Sequence, residues 1–154
     1  MEETSTLKTA DPIKRIVAVV IDMVIAVLVA LIPFIGGILA ALYWLTRDGL
    51  DLPFMDYRSA GKKLVKIRPV KVDGGPMDIV VSVKRNWMLV LGVLLWPLLF
   101  IPILGWLLIL VLVVPVVLVQ VAILVIELVL ALTDDEGRRW GDRFADTRVI
   151  EVES

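Results

Sequence analysis

Ile32-Pro33-Phe34-Ile35-Gly36-Gly37 divides one apolar block of the chain, and Ile101-Pro102-Ile103-Leu104-Gly105 divides another. Proline removes a backbone donor and glycine permits positive φ, so each stretch reads as a turn inside a helical run. Outward from these turns, residues 16–46 carry one charged side chain, Asp22, and residues 86–132 carry one, Glu127. A membrane crossing takes about 20 apolar residues at 1.5 Å rise, so each block is long enough to enter and return. The expected fold class is an all-α membrane protein of two transmembrane helical hairpins, residues 14–32 with 38–47 and 86–101 with 105–133. Four helices result, the second short. One domain over 1–154 is expected: a segment 1–13, the first hairpin 14–47, a loop 48–85, the second hairpin 86–133 and a tail 134–154.

Composition agrees. The 154 residues are 59% hydrophobic, with a mean hydropathy of +0.91, whereas a soluble domain is about 45–50% apolar. Cysteine and histidine are absent, which excludes disulfides, thiolate metal sites and Cys or His nucleophiles within the chain. No phosphate loop, nucleophile elbow or zinc-protease motif occurs. No enzyme activity, cofactor or metal site is therefore expected. Asp134-Asp135-Glu136 reads as a solvated cluster where a helix ends.

The arms are unequal. Ile38 to Thr46 spans roughly 14 Å as a helix, and the last arm about 40 Å with Pro115 inside it. Tilt or a proline kink absorbs the excess. Trp44, Trp87, Trp96 and Trp106 sit near the expected interfaces, where amphipathic rings anchor helices. Pro97 marks a bend in the third arm.

All 16 Lys and Arg lie outside the apolar blocks: three before the first, nine in 47–85 and four after 133. The positive-inside rule then places both termini and the central loop in the cytoplasm and both turns outside. Five aspartates interleave with the loop's bases, which argues against a nucleic-acid partner. The N-terminus begins Met1-Glu2-Glu3 and has no cleavage-site pattern, so the first helix is expected to stay as an anchor.

Lys14-Arg15 opens the first hairpin and Lys84-Arg85 the second, and residues 58–73 align with 138–153, with Arg, Gly, Arg and Val coinciding. This reads as an internal duplication, its halves related by an axis along the membrane normal. Partial alternation in 64–72 and 147–153 predicts two antiparallel strands of a cytoplasmic ribbon, basic residues facing acidic ones. Asp73-Gly74-Gly75-Pro76 is the turn ending the first strand.

Arg15, Ala18, Asp22, Ala26 and Ala30 fall on one stripe of the first helix, the face expected to be buried. Gln120 and Glu127 share a face of the last helix. Asp22 lies seven residues from Arg15 and Glu127 seven from Asp134, so both sit about 10 Å from the cytoplasmic boundary. An ionised acid at depth is costly. For Asp22, neutralisation by Arg15, Arg85 or another base stands beside a proton or cation site completed by Glu127 and Gln120. For Glu127, snorkelling to the headgroups is the simpler reading.

These residues resemble the RDD family of bacterial and archaeal membrane proteins, named for an arginine and two aspartates. Arg15 and Asp22 match its opening signature. Arg47-Asp48-Gly49-Leu50, Ser59-Ala60-Gly61-Lys62-Lys63-Leu64 and Ile67-Arg68-Pro69-Val70 look like its central segment, with Pro69 replacing the usual Val. Gly141-Asp142-Arg143-Phe144-Ala145-Asp146-Thr147 looks like its closing motif, with Asp146 where Gly is usual. The resemblance implies that Asp142 is the second aspartate, bonded to Arg15 or Arg85 as a clamp, and that Arg68 belongs to the charge-pairing set. It also implies a prokaryotic plasma (inner) membrane location; transport, in some members sodium–proton exchange, has been proposed for the family. Two functions are expected as alternatives: a small proton- or cation-coupled transporter, or an accessory or scaffold subunit whose basic loop sits on anionic lipid headgroups. Either would work as a homo-oligomer or within a larger membrane complex.

Overall fold

The computed structural model describes residues 8–92, 101 and 103–152. Trp96, Pro97, Pro102 and Met1-Glu2-Glu3, all invoked above, lie outside the described residues. The elements run α1 (Pro12–Ala30), α2 (Gly36–Thr46), α3 (Ala60–Leu64), β1 (Ile67–Lys71), α4 (Ile79–Asn86), α5 (Leu104–Thr133), α6 (Trp140–Phe144) and β2 (Thr147–Glu151). The described residues are mostly helical with one two-stranded sheet. Residues 105–133 form a helix long and apolar enough to cross a membrane, and its apolar window is not buried inside the protein.

Local chemistry sets the boundaries. Pro12 occupies the first turn of α1, where no amide partner is lost, and the Asp11 carboxylate accepts from Ile13 N at 2.7 Å. The turn at 31–35 folds α2 back onto α1. Ala18, Asp22 and Ala26 are the buried residues of α1, as the small-residue stripe predicts, while Val20, Val24, Val27 and Leu28 point outward. The third arm departs from expectation. A helix starts at Ile79 rather than 86, capped by Asp78, whose side chain accepts from Val81 N at 2.8 Å. Residues 87–92 continue it as a 3₁₀ segment.

The two halves of the cytoplasmic part repeat at a constant spacing. α3 and α6 start 80 residues apart, as do β1 and β2. Lys66 (φ 56°) and Asp146 (φ 49°) both occupy the left-handed region between helix and strand. That conformation explains why glycine suits the position held by Asp146. The ribbon is antiparallel with Pro69 opposite Val149, themselves 80 apart, so it is centred on the twofold axis of the repeat. Val72 N donates to Asp146 O at 3.0 Å and Val152 N to Lys66 O at 2.9 Å. Pro69 therefore sits in a pair that exchanges no backbone bonds, where its missing N–H removes none.

That register overturns the expected charge ladder. Arg68 faces Ile150, Lys71 faces Thr147 and Glu151 faces Ile67. Glu151 instead meets Lys14 at 3.2 Å and Lys8 at 3.4 Å, because residues 8–10 run along the outer edge of β2. Asp73 closes the turn after β1 by accepting from Gly75 N at 2.8 Å. Ile67 and Val149 pack with Ala10 and Ala18, seating the ribbon against α1.

Gly61 and Gly141 are counterparts and share one constraint. A Cβ on Gly61 would intrude on the Ala18 carbonyl, and one on Gly141 on the Arg85 carbonyl. Backbone cannot yield as a flexible side chain can, so Gly61→Ala and Gly141→Ala are each expected to cost about 3 kcal/mol. Thermal unfolding in detergent measures this. Lys66→Gly is the control: relief of the left-handed residue leaves the midpoint unchanged or raised.

Candidate functional site

Where the helices meet the ribbon, charged side chains from all six described helices or their caps form a buried network. Its centre is Asp142 in α6, with no exposed surface. Its Oδ2 accepts from Arg15 Nη2 at 2.8 Å. Arg85 Nε lies 2.6 Å from its Oδ1, and Arg139 Nε 3.5 Å from the same oxygen. The clamp implied by the resemblance is thus present with both of its arginines. Arg15 also donates to the Gly137 carbonyl.

A second centre is Asp48, which follows α2. Lys62 Nζ in α3 donates to both its oxygens at 2.5 Å, and Arg85 Nη1 lies 3.7 Å away. Asn86 bridges the centres: it donates to Asp48 at 3.5 Å and accepts from Arg139 Nη2 at 2.8 Å. Burial opposes ionisation of Asp48, but Lys62, Arg85 and Arg47 outweigh it and hold the carboxyl well below its ordinary range. The same competition holds Asp142 down to about 2, with Arg85, Arg139 and Arg15 overcoming its burial. Burial and the neighbouring guanidiniums of Arg85, Arg47 and Arg139 lower Lys62 to about 7, against the pull of Asp48.

Asp22 and Glu127 occupy analogous sites without meeting. Asp22 is wholly buried and accepts three bonds: from Arg47 Nη1 at 2.6 Å, Tyr43 Oη at 2.8 Å and Gly61 N at 2.9 Å. Arg47 also lies over the Trp44 ring, 3.8 Å from its centroid. Glu127 accepts from Gly141 N at 3.0 Å and lies 3.4 Å from Arg139 Nε. Each acid therefore caps the N-terminal end of a five-residue helix, α3 or α6, where free N–H groups favour an anion. Glu127 is buried by these contacts with the segment that follows α5. The residue seven beyond Arg85 is Gly92, so the second half carries its acid on the return arm instead.

The other predicted residues lie apart. Among the described residues Gln120 donates to Met88 O, at 3.5 Å. Arg68 bonds Asp56 outside the network. Asp134 accepts from Glu136 N and Arg138 N at 3.0 and 2.8 Å and from Arg143 at 2.6 Å, so the acidic cluster shapes the 134–139 turn. No cluster with metal-ligand character occurs among the described residues. Sequence reasoning missed Arg47, Asp48, Lys62 and Arg139 as site residues. One sign of them was available: the aligned repeats put Lys62 opposite Asp142, opposite charges at equivalent places.

Above the network, a cavity of about 710 Å³ opens between α1, α2, α5 and residues 89–92. Its walls are aliphatic, and Arg15, Arg47, Lys62, Arg85, Arg139 and Glu127 line its floor.

Removing one acid from such a network strands its cations. Asp142→Asn and Asp22→Asn are each expected to destabilise the fold by about 3–5 kcal/mol, seen as a lower unfolding midpoint. The depressed carboxyl of Asp142 supplies stability that is complete above the unfolded value, near pH 4, and lost as pH falls through about 2. The loss amounts to about 2 kcal/mol. An acid titration of the parent that shows no such decline contradicts the assignment.

No curated protein and no solved structure matches the chain. Comparison with known protein families matches residues 32–146. That span contains both centres of the charge network, Asp48 and Asp142. On this match the chain, a membrane protein, belongs to the RDD family.

Proposed function

We propose that the chain is a four-segment protein of a prokaryotic plasma membrane, with both termini and the 48–85 loop in the cytoplasm. On this reading it serves as a non-catalytic accessory or scaffold subunit of a membrane complex, alone or as a homo-oligomer. The topology is supported by the confinement of every Lys and Arg to one side of the apolar blocks. It is also supported by the outward-facing aliphatic residues of α1 and α5.

The observation that carries the scaffold reading is the state of Asp22. A carrier needs a carboxylate that exchanges a proton or cation with water. Asp22 has no exposed surface and three donors, one of them a guanidinium. Such a group fixes architecture. The basic loop then faces anionic headgroups, each base near the surface contributing about 1 kcal/mol of attraction.

Ion-coupled transport is the second reading, favoured by Glu127 and Gln120 in the lining of the cavity. Reconstitution separates the two. Parent protein in liposomes with a pH-sensitive dye is expected to give no proton flux under a sodium or potassium gradient. Flux in the parent that disappears in Glu127→Gln establishes the carrier.

Topology is testable because the chain has no cysteine. Ile35→Cys is expected to react with an impermeant maleimide on intact cells. Pro76→Cys is expected to react only after permeabilisation.

A further inference from the structure

The charges around the cavity are sorted by sign. Five cations line its floor and one acid joins them, Glu127. The counter-acids stand behind: Asp22, Asp48 and Asp142 have no exposed surface, whereas the side chains of Arg15 and Arg139 each keep 13% of theirs and Lys62 7%. Across the network, five bases (Arg15, Arg47, Lys62, Arg85, Arg139) meet four acids (Asp22, Asp48, Glu127, Asp142). Arg85 Nη1 is buried without a hydrogen-bond acceptor. The field at the floor is therefore positive, in surroundings too dry to screen it.

The walls select the anion's other half. Val20, Met23 and Val27 of α1 and Leu124 and Leu128 of α5 line the shaft. These helices present aliphatic side chains outward along their lengths. A free inorganic anion gains nothing from such walls. An amphiphile with an anionic head and hydrocarbon tail satisfies both parts, as basic pockets between transmembrane helices do on the cytoplasmic side.

We propose that this cavity holds one anionic phospholipid of the cytoplasmic leaflet, its phosphate on Arg15, Lys62 and Arg139 and an acyl chain between α1 and α5. The proposal rests on the membrane reading above and gives the scaffold a specific lipid in place of a diffuse basic surface.

The test uses the full chain purified in a mild detergent and titrated with phosphatidylglycerol, phosphatidylcholine or inorganic phosphate. Native mass spectrometry and the unfolding midpoint are followed together. Phosphatidylglycerol is expected to bind one per chain and raise the midpoint by several degrees, with the other two having little effect. Val20→Trp and Leu124→Trp fill the shaft from opposite walls and keep every charge. Each is expected to weaken phosphatidylglycerol binding about tenfold or more, at an unchanged lipid-free midpoint. Equal response to phosphatidylcholine overturns the proposal, as does an equal response to phosphate. So does unchanged phosphatidylglycerol binding in both variants at an intact midpoint. Recovery of the chain as a soluble monomer without detergent overturns the membrane reading itself, and with it the lipid.

Discussion

The Asp142 carboxylate, held among Arg15, Arg85 and Arg139, is the constraint on which the rest depends. It brings the start of α1, the end of α4 and the cap of α6 to one point. Through Arg85 and Asn86 it connects to Asp48 and Lys62, and through Arg139 to Glu127. A buried ion is expensive to desolvate, and attraction repays that only when geometry and further hydrogen bonds are good. The network meets this condition largely by sharing: Asp142 lies among three guanidiniums, Asp22 takes three donors, and Arg15 reaches both Asp142 and the Gly137 carbonyl. Its contribution is therefore better read as specifying one arrangement of short helices than as raw stability. Helices of five residues have too little propensity to hold position alone.

The twofold repeat explains both the order in this region and its exceptions. Counterparts 80 residues apart share helix starts, left-handed linkers, the close glycine approach and a ribbon centred on Pro69 and Val149. Strict symmetry has a physical difficulty, since identical charges near the axis would repel. The chain departs from symmetry there. Lys62 replaces the aspartate that its counterpart Asp142 provides, and it is among the cations that depress Asp142. The intramembrane acid likewise sits on the first arm in one half and the return arm in the other. Either placement delivers a carboxylate to the same glycine amide.

What the sequence disclosed follows the range of the forces. The first hairpin, the long last helix, the buried stripe of α1 and the antiparallel ribbon all rest on periodicity and hydropathy within short windows. Asp142's partners came through a motif resemblance instead. The partner of Asp22 was hidden for a different reason. From Asp22 the chain climbs eight residues to Ala30, turns, and descends eleven from Gly36 to reach Arg47. Rise per residue makes those legs roughly 12 and 16 Å, so the short arm returns Arg47 to the level of Asp22. The arithmetic was available, but only once the turn at 31–35 was known to be tight. The early start of α4 was obscured by a segment of mixed polarity, whose Val81, Ser82, Arg85 and Asn86 are buried by tertiary contacts.

Asp22 also shows why a carboxylate at membrane depth is poor evidence for transport by itself. Depth says only that charge is costly there, and the cost is met whether the acid binds a travelling ion or a fixed guanidinium. The difference lies in the number of donors and their mobility. Tyr43 and Arg47 are fixed to α2, and Gly61 N belongs to the backbone at the N-terminal end of a capped helix. To release Asp22 for a cation, α2 and α3 would have to withdraw together. Gly61, in contact with the Ala18 carbonyl, would have to leave α1. A carrier cycle through this acid would disassemble the first half of the protein at every turnover. A cycle through Glu127 would leave one backbone amide, Gly141 N, without its acceptor and would part the acid from Arg139, which keeps Asp142 and Asn86 as acceptors. If any acid in this chain moves charge across the bilayer, physical economy assigns it to the second half.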